Sequence, residues 1–401
     1  MKYFASGILA SLLLSVPARS AGSDELSRAK SKVAFVYARL TGGLKPSPNE
    51  LNTWAAQVVA ATDKRAALLS IADEAVKMDS FYSVTVLDFA QLESNKDRAL
   101  LDEAGTLSDL TATVVGLTRD EKDYRTILYD DIIYVPARAA YDAGSNTIYD
   151  ILNTSVKNGT AQLSTSLKAS TQTETTGLSV QAGIFTLRGF GSKYYEAGTN
   201  RGPVRFTFIN YVCRDMEDLS DITVDTNSIR RDVDRKPGND PAKFVNECRG
   251  CHFALDPMAG AFAFYDYIPP LKVTDAAPLL IATTPNAKTN RNNAVFPGGM
   301  TVKDDSWENN WLNSDIYKDL WEPSKAKGKG VKEFGEMIAA TKMFPECMAK
   351  RAFKTICLGD GVKAIDKASI EKLSSDFVKG SYNMKALFKN AAVECGSRIG
   401  Q

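Results

Sequence analysis

Cys248-Arg249-Gly250-Cys251-His252 places two thiols three positions apart, with an imidazole directly after the second. Such a run can add both sulfurs across the two vinyl groups of one macrocycle while the imidazole lies under a central iron, which is the attachment signature of c-type haem. Gly250 leaves room for the short loop between the cysteines to wrap a porphyrin edge. The 401-residue chain has six cysteines and one histidine, so a chance match has an expectation on the order of 10⁻⁴ to 10⁻³. The lone histidine stands at the one position the motif needs. Two other uses of the trio compete. A thioredoxin-like redox pair opens a helix after a βαβ strand, and no such pattern precedes residue 248. A structural zinc site needs a fourth ligand, and a second C-x-x-C is absent.

With one imidazole in the chain, His/His ligation is excluded, which leaves a methionine, a weaker side chain or an open position on the far face of the iron. Met258 follows His252 too closely to cross the ring. Met300 is the better candidate, because Phe296-Pro297-Gly298-Gly299 makes a turn-rich loop that can approach closely and present a thioether. Met337, Met343 and Met348 sit in a helical stretch and read as core. The charged run over 228–236 reads as a solvated face. In a sharper reading, Arg230 or Arg231 pairs with haem propionates, since a guanidinium fork suits a carboxylate.

The elements that would hold this site belong to an exported chain. Met1-Lys2 is followed by an uncharged, largely apolar run from Tyr3 to Val16 and then small residues, a secretory signal pattern over 1–21. The run is short of the roughly 20 residues that span a bilayer. Export to the periplasm or beyond puts the cysteines in an oxidising space. Cys213, Cys347, Cys357 and Cys395 then read as two disulfides. If 345–358 is one helix, Cys347 and Cys357 lie about 15 Å apart along it, and a disulfide allows about 7 Å. Each therefore pairs with Cys213 or Cys395, in either combination.

Hydrophobic residues make up 44% of the chain, and Lys+Arg 49 against Asp+Glu 48 leaves a net charge of +1. That is an ordinary globular balance, and it removes the bulk electrostatic case for nucleic-acid binding. The expected fold class is mainly α. A helical N-terminal region covers 22–150, with helices at 50–61, 64–78, 81–94 and 121–129. Ala34, Tyr37 and Leu40 give the first helix its apolar spacing. Ser47-Pro48-Asn49-Glu50 reads as a helix start, with Ser47 as cap and Glu50 closing a capping box. The Ser/Thr/Gly-rich stretch within 151–182 reads as a long surface loop or hairpin. The haem-binding region is expected over 183–330, with Trp307, Trp311 and Trp321 packing a small core. A C-terminal helical domain over 331–401 carries helices at 331–342, 345–358, 366–379 and 383–395, with Gly359 as a stop and Asp366 as a cap.

The order of several segments resembles the planctomycete-type cytochrome c family of exported bacterial single-haem proteins. Thr186 and Arg201-Gly202 come first, then Arg230-Arg231, then Cys248 to His252, Asp256-Pro257 and Tyr265-Asp266. Phe334 to Cys357, Asp366, and Tyr382 to Phe388 resemble the family's closing helical part. The likeness covers about two thirds of the chain and is weak before residue 110. Where the common form has a glycine after Asp-Pro and an acid before the last aromatic-Asp pair, this chain has Ala259 and Ala263. The resemblance implies covalent haem c, export and a mainly helical fold; it implies no substrate.

The first functional expectation is an electron-transfer cytochrome c serving a redox partner of unknown identity, with peripheral contact to the envelope open to it. The alternatives are a haem enzyme or gas- or peroxide-binding protein with an open distal site, and a binding scaffold in which haem is structural. A minimal mono-haem domain needs only about 80–100 residues, so the surplus length points to more than electron passage.

Overall fold

The computed structural model describes residues 21–93, 107–271, 276–357 and 367–399. Apart from Ala21, the signal segment lies outside them, as do Gly359 and Asp366. The chain is mainly helical, with three two-stranded antiparallel ladders among the described residues.

The two ends of the chain build one helical body. Ala21–Leu40 packs against Pro48–Ala60, Lys64–Ala75 and Met384–Ser397, and the last of these also packs on Met343–Cys357. On the first helix Val33, Val36, Tyr37 and Leu40 are buried, and Ala34 sits on the flank of that stripe. The start of the second helix follows its sequence signature. Glu50 N–H donates to Ser47 Oγ (3.3 Å), Ser47 N–H donates to Glu50 Oε2 (2.8 Å), and Pro48 opens the helix. Each bond satisfies a backbone donor that the first turn leaves without a partner.

One expectation is filled in and one changes. Asp109–Arg119 is a helix whose residues from Asp109 to Thr118 are all buried. It lies within the region expected to be helical, and its buried residues include Asp109, Thr111, Thr113 and Thr118, polar types that an apolar count passes over. The Ser/Thr-rich stretch is not wholly a surface loop. Leu167–Ser170 forms a strand antiparallel to Ile133–Pro136, and the buried Gln172 donates from Nε2 to the carbonyls of Ile132 and Gly183. Polar composition hides this strand, because its ladder and not its side chains ties it down.

Met343–Cys357 is one continuous helix, with Pro345 in its first turn where no N–H bond is lost. Cys347 pairs with Cys213 and Cys357 with Cys395, at Cα separations of 5.1 and 6.1 Å. Met337, Met343 and Met348 are buried core, as are Trp307, Trp311 and Trp321. Trp311 stacks on Trp321 (5.7 Å) and meets the ring of Phe253 edge-on (6.0 Å). That aromatic wedge lies behind the helix that carries the cysteine motif.

Candidate cofactor site around His252

The motif straddles a change of helical pitch. Phe244–Cys248 forms a wide turn in which Arg249 N–H bonds to Phe244 O, and Arg249–Met258 continues as regular helix. Phe253, Ala254, Leu255 and Met258 are buried in the core. Asn310 Nδ2 donates to Phe253 O (2.9 Å) and fixes the helix from behind. Cys248, Cys251 and His252 are only partly buried.

A strap crosses the motif at Gly250. Asp221 N–H donates to Gly250 O (2.9 Å), and a Cβ on Gly250 would lie 2.2 Å from Ser220 Oγ and 3.0 Å from Ile222 Cγ2. Cys251 Sγ lies 3.4 Å from Met216 O on the same strap. Burial pushes the Cys251 thiol up, against a hydrogen bond with Ser220 that lowers it. Cys248 and Cys251 are the two cysteines not in disulfides. Exposed Val245 and Ile222 leave apolar surface close to them.

His252 leads into a chain of buried charge. Its Nδ1 lies 2.9 Å from Oδ1 of Asp256, one turn on and fully buried. Arg201 grips the same carboxylate with one edge of its guanidinium, Nε to Oδ1 at 2.6 Å and Nη2 to Oδ2 at 3.0 Å. The backbone N–H of Arg230 adds a bond to Oδ2 (2.8 Å). Arg201 in turn donates to both oxygens of Asp232 (2.9 and 2.7 Å) and to Thr199 Oγ1 (2.9 Å). Burial alone would raise the Asp256 carboxyl, but the hydrogen bonds from His252 and Arg201 outweigh it and hold the group well below the usual carboxylate range. Arg201 is held above its ordinary value because Asp256 and Asp232 outweigh its burial.

The structure thus gathers His252, Asp256, Arg201 and the backbone of Arg230 from separate stretches of sequence. Asp232, inside the charged run, was not singled out as a site residue. It sits in the turn that follows Arg230, closed by Val233 N–H donating to Arg230 O (3.2 Å), and no spacing rule marks it. That run is not a solvated face. Arg230 is 1% exposed, and its guanidinium donates to the carbonyls of Thr199 and Thr289. Its Nε is buried without a partner, and burial, then the neighbouring Arg201, pushes the group down to about 10. Arg231 donates from Nε to Gly299 O (2.8 Å).

Met300 rides beside the same segment: its N–H donates to Ile229 O and its carbonyl accepts from Arg231 N–H, both at 3.0 Å. Gly299 permits this approach, since a Cβ there would lie 2.9 Å from Ile229 O. Met300 lines a cleft of about 600 Å³ with Arg231, Pro257 and Trp307, and the cleft lining does not include Cys248, Cys251 or His252. Thr186 and Asp266 lie apart from the His252 network. Thr186 Oγ1 donates to Gln172 Oε1 (2.6 Å), and Asp266 accepts from Lys288 Nζ (2.6 Å).

Among the described residues no group of three or more His, Cys, Asp and Glu side chains is gathered to hold a metal ion, and no helix is long and apolar enough to cross a membrane. No family model matches the chain, and neither the curated proteins nor the solved structures contain a significant match.

The donor set fits a covalently attached haem. Two unpaired, reachable thiols flank a glycine on one helical run. The imidazole beside them has one nitrogen engaged by Asp256, which leaves Nε2 for an iron.

Proposed function

We propose that the protein is an exported mono-haem c-type cytochrome that transfers electrons. Cys248 and Cys251 would carry the thioethers and His252 Nε2 the iron, and the bound group would supply a one-electron couple. One observation carries the reading: four of the six cysteines are in disulfides, and the two left as thiols are those followed directly by the only histidine.

The likeness to planctomycete-type cytochromes c supports it. Arg201, Arg230, His252 and Asp256, all among the residues that carry the likeness, come from three separate stretches and meet in one network. Two disulfides accord with a periplasmic or extracellular location. The protein's own residues do three things at the site. The Ser220–Ile222 strap fixes the motif at Gly250, Asp256 orients the imidazole, and the aromatic wedge keeps water from the back of the helix.

Met300 remains the proposed sixth ligand. Its place in a cleft that His252 does not line favours a second reading, a haem protein whose distal position is open to carbon monoxide, cyanide or peroxide.

The test is the mass of the chain exported by a host that matures c-type cytochromes. The expected result is polypeptide plus a tetrapyrrole of about 616 Da, lost in Cys248→Ser/Cys251→Ser. A bare polypeptide mass overturns the reading. A reduced spectrum unchanged by carbon monoxide supports Met300. Ready carbon monoxide binding supports the open site.

A further inference from the structure

Asp256 is placed to do more than seal a buried corner. It stands one turn after His252 on the same helix, the i,i+4 spacing at which side chains meet. Its two oxygens take donors from Arg201 Nε, Arg201 Nη2 and the Arg230 N–H, all positive or polar hydrogens. A carboxylate so surrounded is an acceptor toward its remaining neighbour, so the proton between it and His252 belongs to Nδ1. The lone pair is then on Nε2, the nitrogen a metal would take.

Nor can Asp256 turn away. It is fully buried, and the guanidinium that holds it is itself held on its other side by both oxygens of Asp232. The partner of the imidazole is therefore a fixed anion and not a neutral carbonyl. A fixed anion on Nδ1–H draws the proton toward itself, makes Nε2 a stronger donor and stabilises the higher charge on a bound iron.

We infer that Asp256 is the positioning residue of His252, and that through the Arg201–Asp232 tether it biases an iron bound at Nε2 toward the ferric state. This rests on the haem reading above.

The experiment uses the full exported holoprotein and Asp256→Asn, which keeps the shape and an acceptor oxygen but removes the charge. Mass is read first: the absence of attached haem in the wild-type chain defeats the haem reading and leaves no iron for Asp256 to act on. With haem attached in both, the midpoint potential of Asp256→Asn is expected to rise, so that the ferric-to-ferrous ratio at a fixed potential falls about tenfold, equivalent to about 59 mV for one electron. An unchanged or lowered potential overturns the inference.

Should Asp256→Asn not accumulate, the wild-type protein decides alone. One histidine in the chain means that ¹⁵N-histidine labelling reports a single ring. In the diamagnetic ferrous carbon monoxide form, or in the ferrous form if methionine-ligated, Nδ1 is expected to carry a strongly hydrogen-bonded proton that exchanges slowly with solvent. A fast-exchanging proton, or none on Nδ1, overturns the inference.

Discussion

Glu93 and Asp256 are both carboxylates buried against an arginine, but the networks around them end differently. Glu93 accepts from Arg351 Nη1 (2.5 Å), Tyr124 Oη (3.0 Å) and Tyr211 Oη (2.5 Å). Arg351 spends its other donors on the carbonyls of Asn210 and Phe89, and its guanidinium lies 4.2 Å from the centre of the Phe89 ring. Burial, reinforced by Glu93, drives both phenols well above their ordinary range. Each of these groups is enclosed, so the network closes on itself and ties the Leu87–Gln91, Tyr124–Leu128, Phe208–Val212 and Met343–Cys357 segments together. The run from Asp232 through Arg201 to Asp256 ends instead on an imidazole whose side chain is 26% exposed. Similar chemistry serves shape in one place and direction in the other. The sign of a directing network is the member that reaches the surface with one nitrogen still available.

The first way to break the comparison is to cut the covalent support of the closed network. Cys213–Cys347 joins the segment that carries Asn210 and Tyr211 to the helix that carries Arg351, and spans 134 residues. Chain entropy assigns such a closure about 5 kcal/mol, against about 4 kcal/mol for the 38-residue Cys357–Cys395 span. Cys213→Ser/Cys347→Ser is expected to show the larger drop in denaturant midpoint while leaving the proposed haem attachment unaffected in whatever molecules stay folded. Equal drops for the two pairs would show that strain or residual structure, not loop length, governs them. The next largest effect is Arg351→Met. It strands Glu93 in the core, and breaking a buried pair costs about 3–5 kcal/mol. Adding Glu93→Gln should restore part of that loss, because a neutral amide no longer needs the cation. A double variant no more stable than the single one would mean that the pair acts through packing alone.

What could be read from the sequence divides along the same line. The cap at Ser47 and the motif at Cys248–His252 are local: their chemistry lies within five residues, and spacing states it. The separation of Cys347 from Cys357 followed from the rise of a helix, and so did the need for each to find a distant partner. Which partner each takes is set by the packing of Met384–Ser397 and Phe208–Val212, which no local pattern records. The His252–Asp256 link has a legible spacing, but its strength comes from Arg201 and Asp232, far off in the chain. The bounds of Asp109–Arg119 were hidden because its buried residues include Asp109, Thr111, Thr113 and Thr118, residue types that read as solvent-facing. The strand at Leu167–Ser170 was hidden because a ladder bond carries no side-chain signature.

The smallest expected effect tests how tightly the directing network's helix is held. Gly250 lies inside Arg249–Met258, where alanine would ordinarily gain up to about 1 kcal/mol. The Ser220–Ile222 strap crosses there, and a new Cβ would lie 2.2 Å from Ser220 Oγ and 3.0 Å from Ile222 Cγ2. Overpacking of this kind costs about 1–3 kcal/mol. Gly250→Ala is therefore expected to lose about 1 kcal/mol net, read as a lower denaturant midpoint at unchanged slope. The hydroxyl is the flexible end of a small side chain, so Ser220→Ala on the same background removes the closest contact and should recover most of the loss. Recovery would show that the added methyl is resisted by that one oxygen. No recovery would move the constraint to Ile222 and the Asp221 N–H bond, making the backbone strap itself the part that holds the two thiols beside the imidazole.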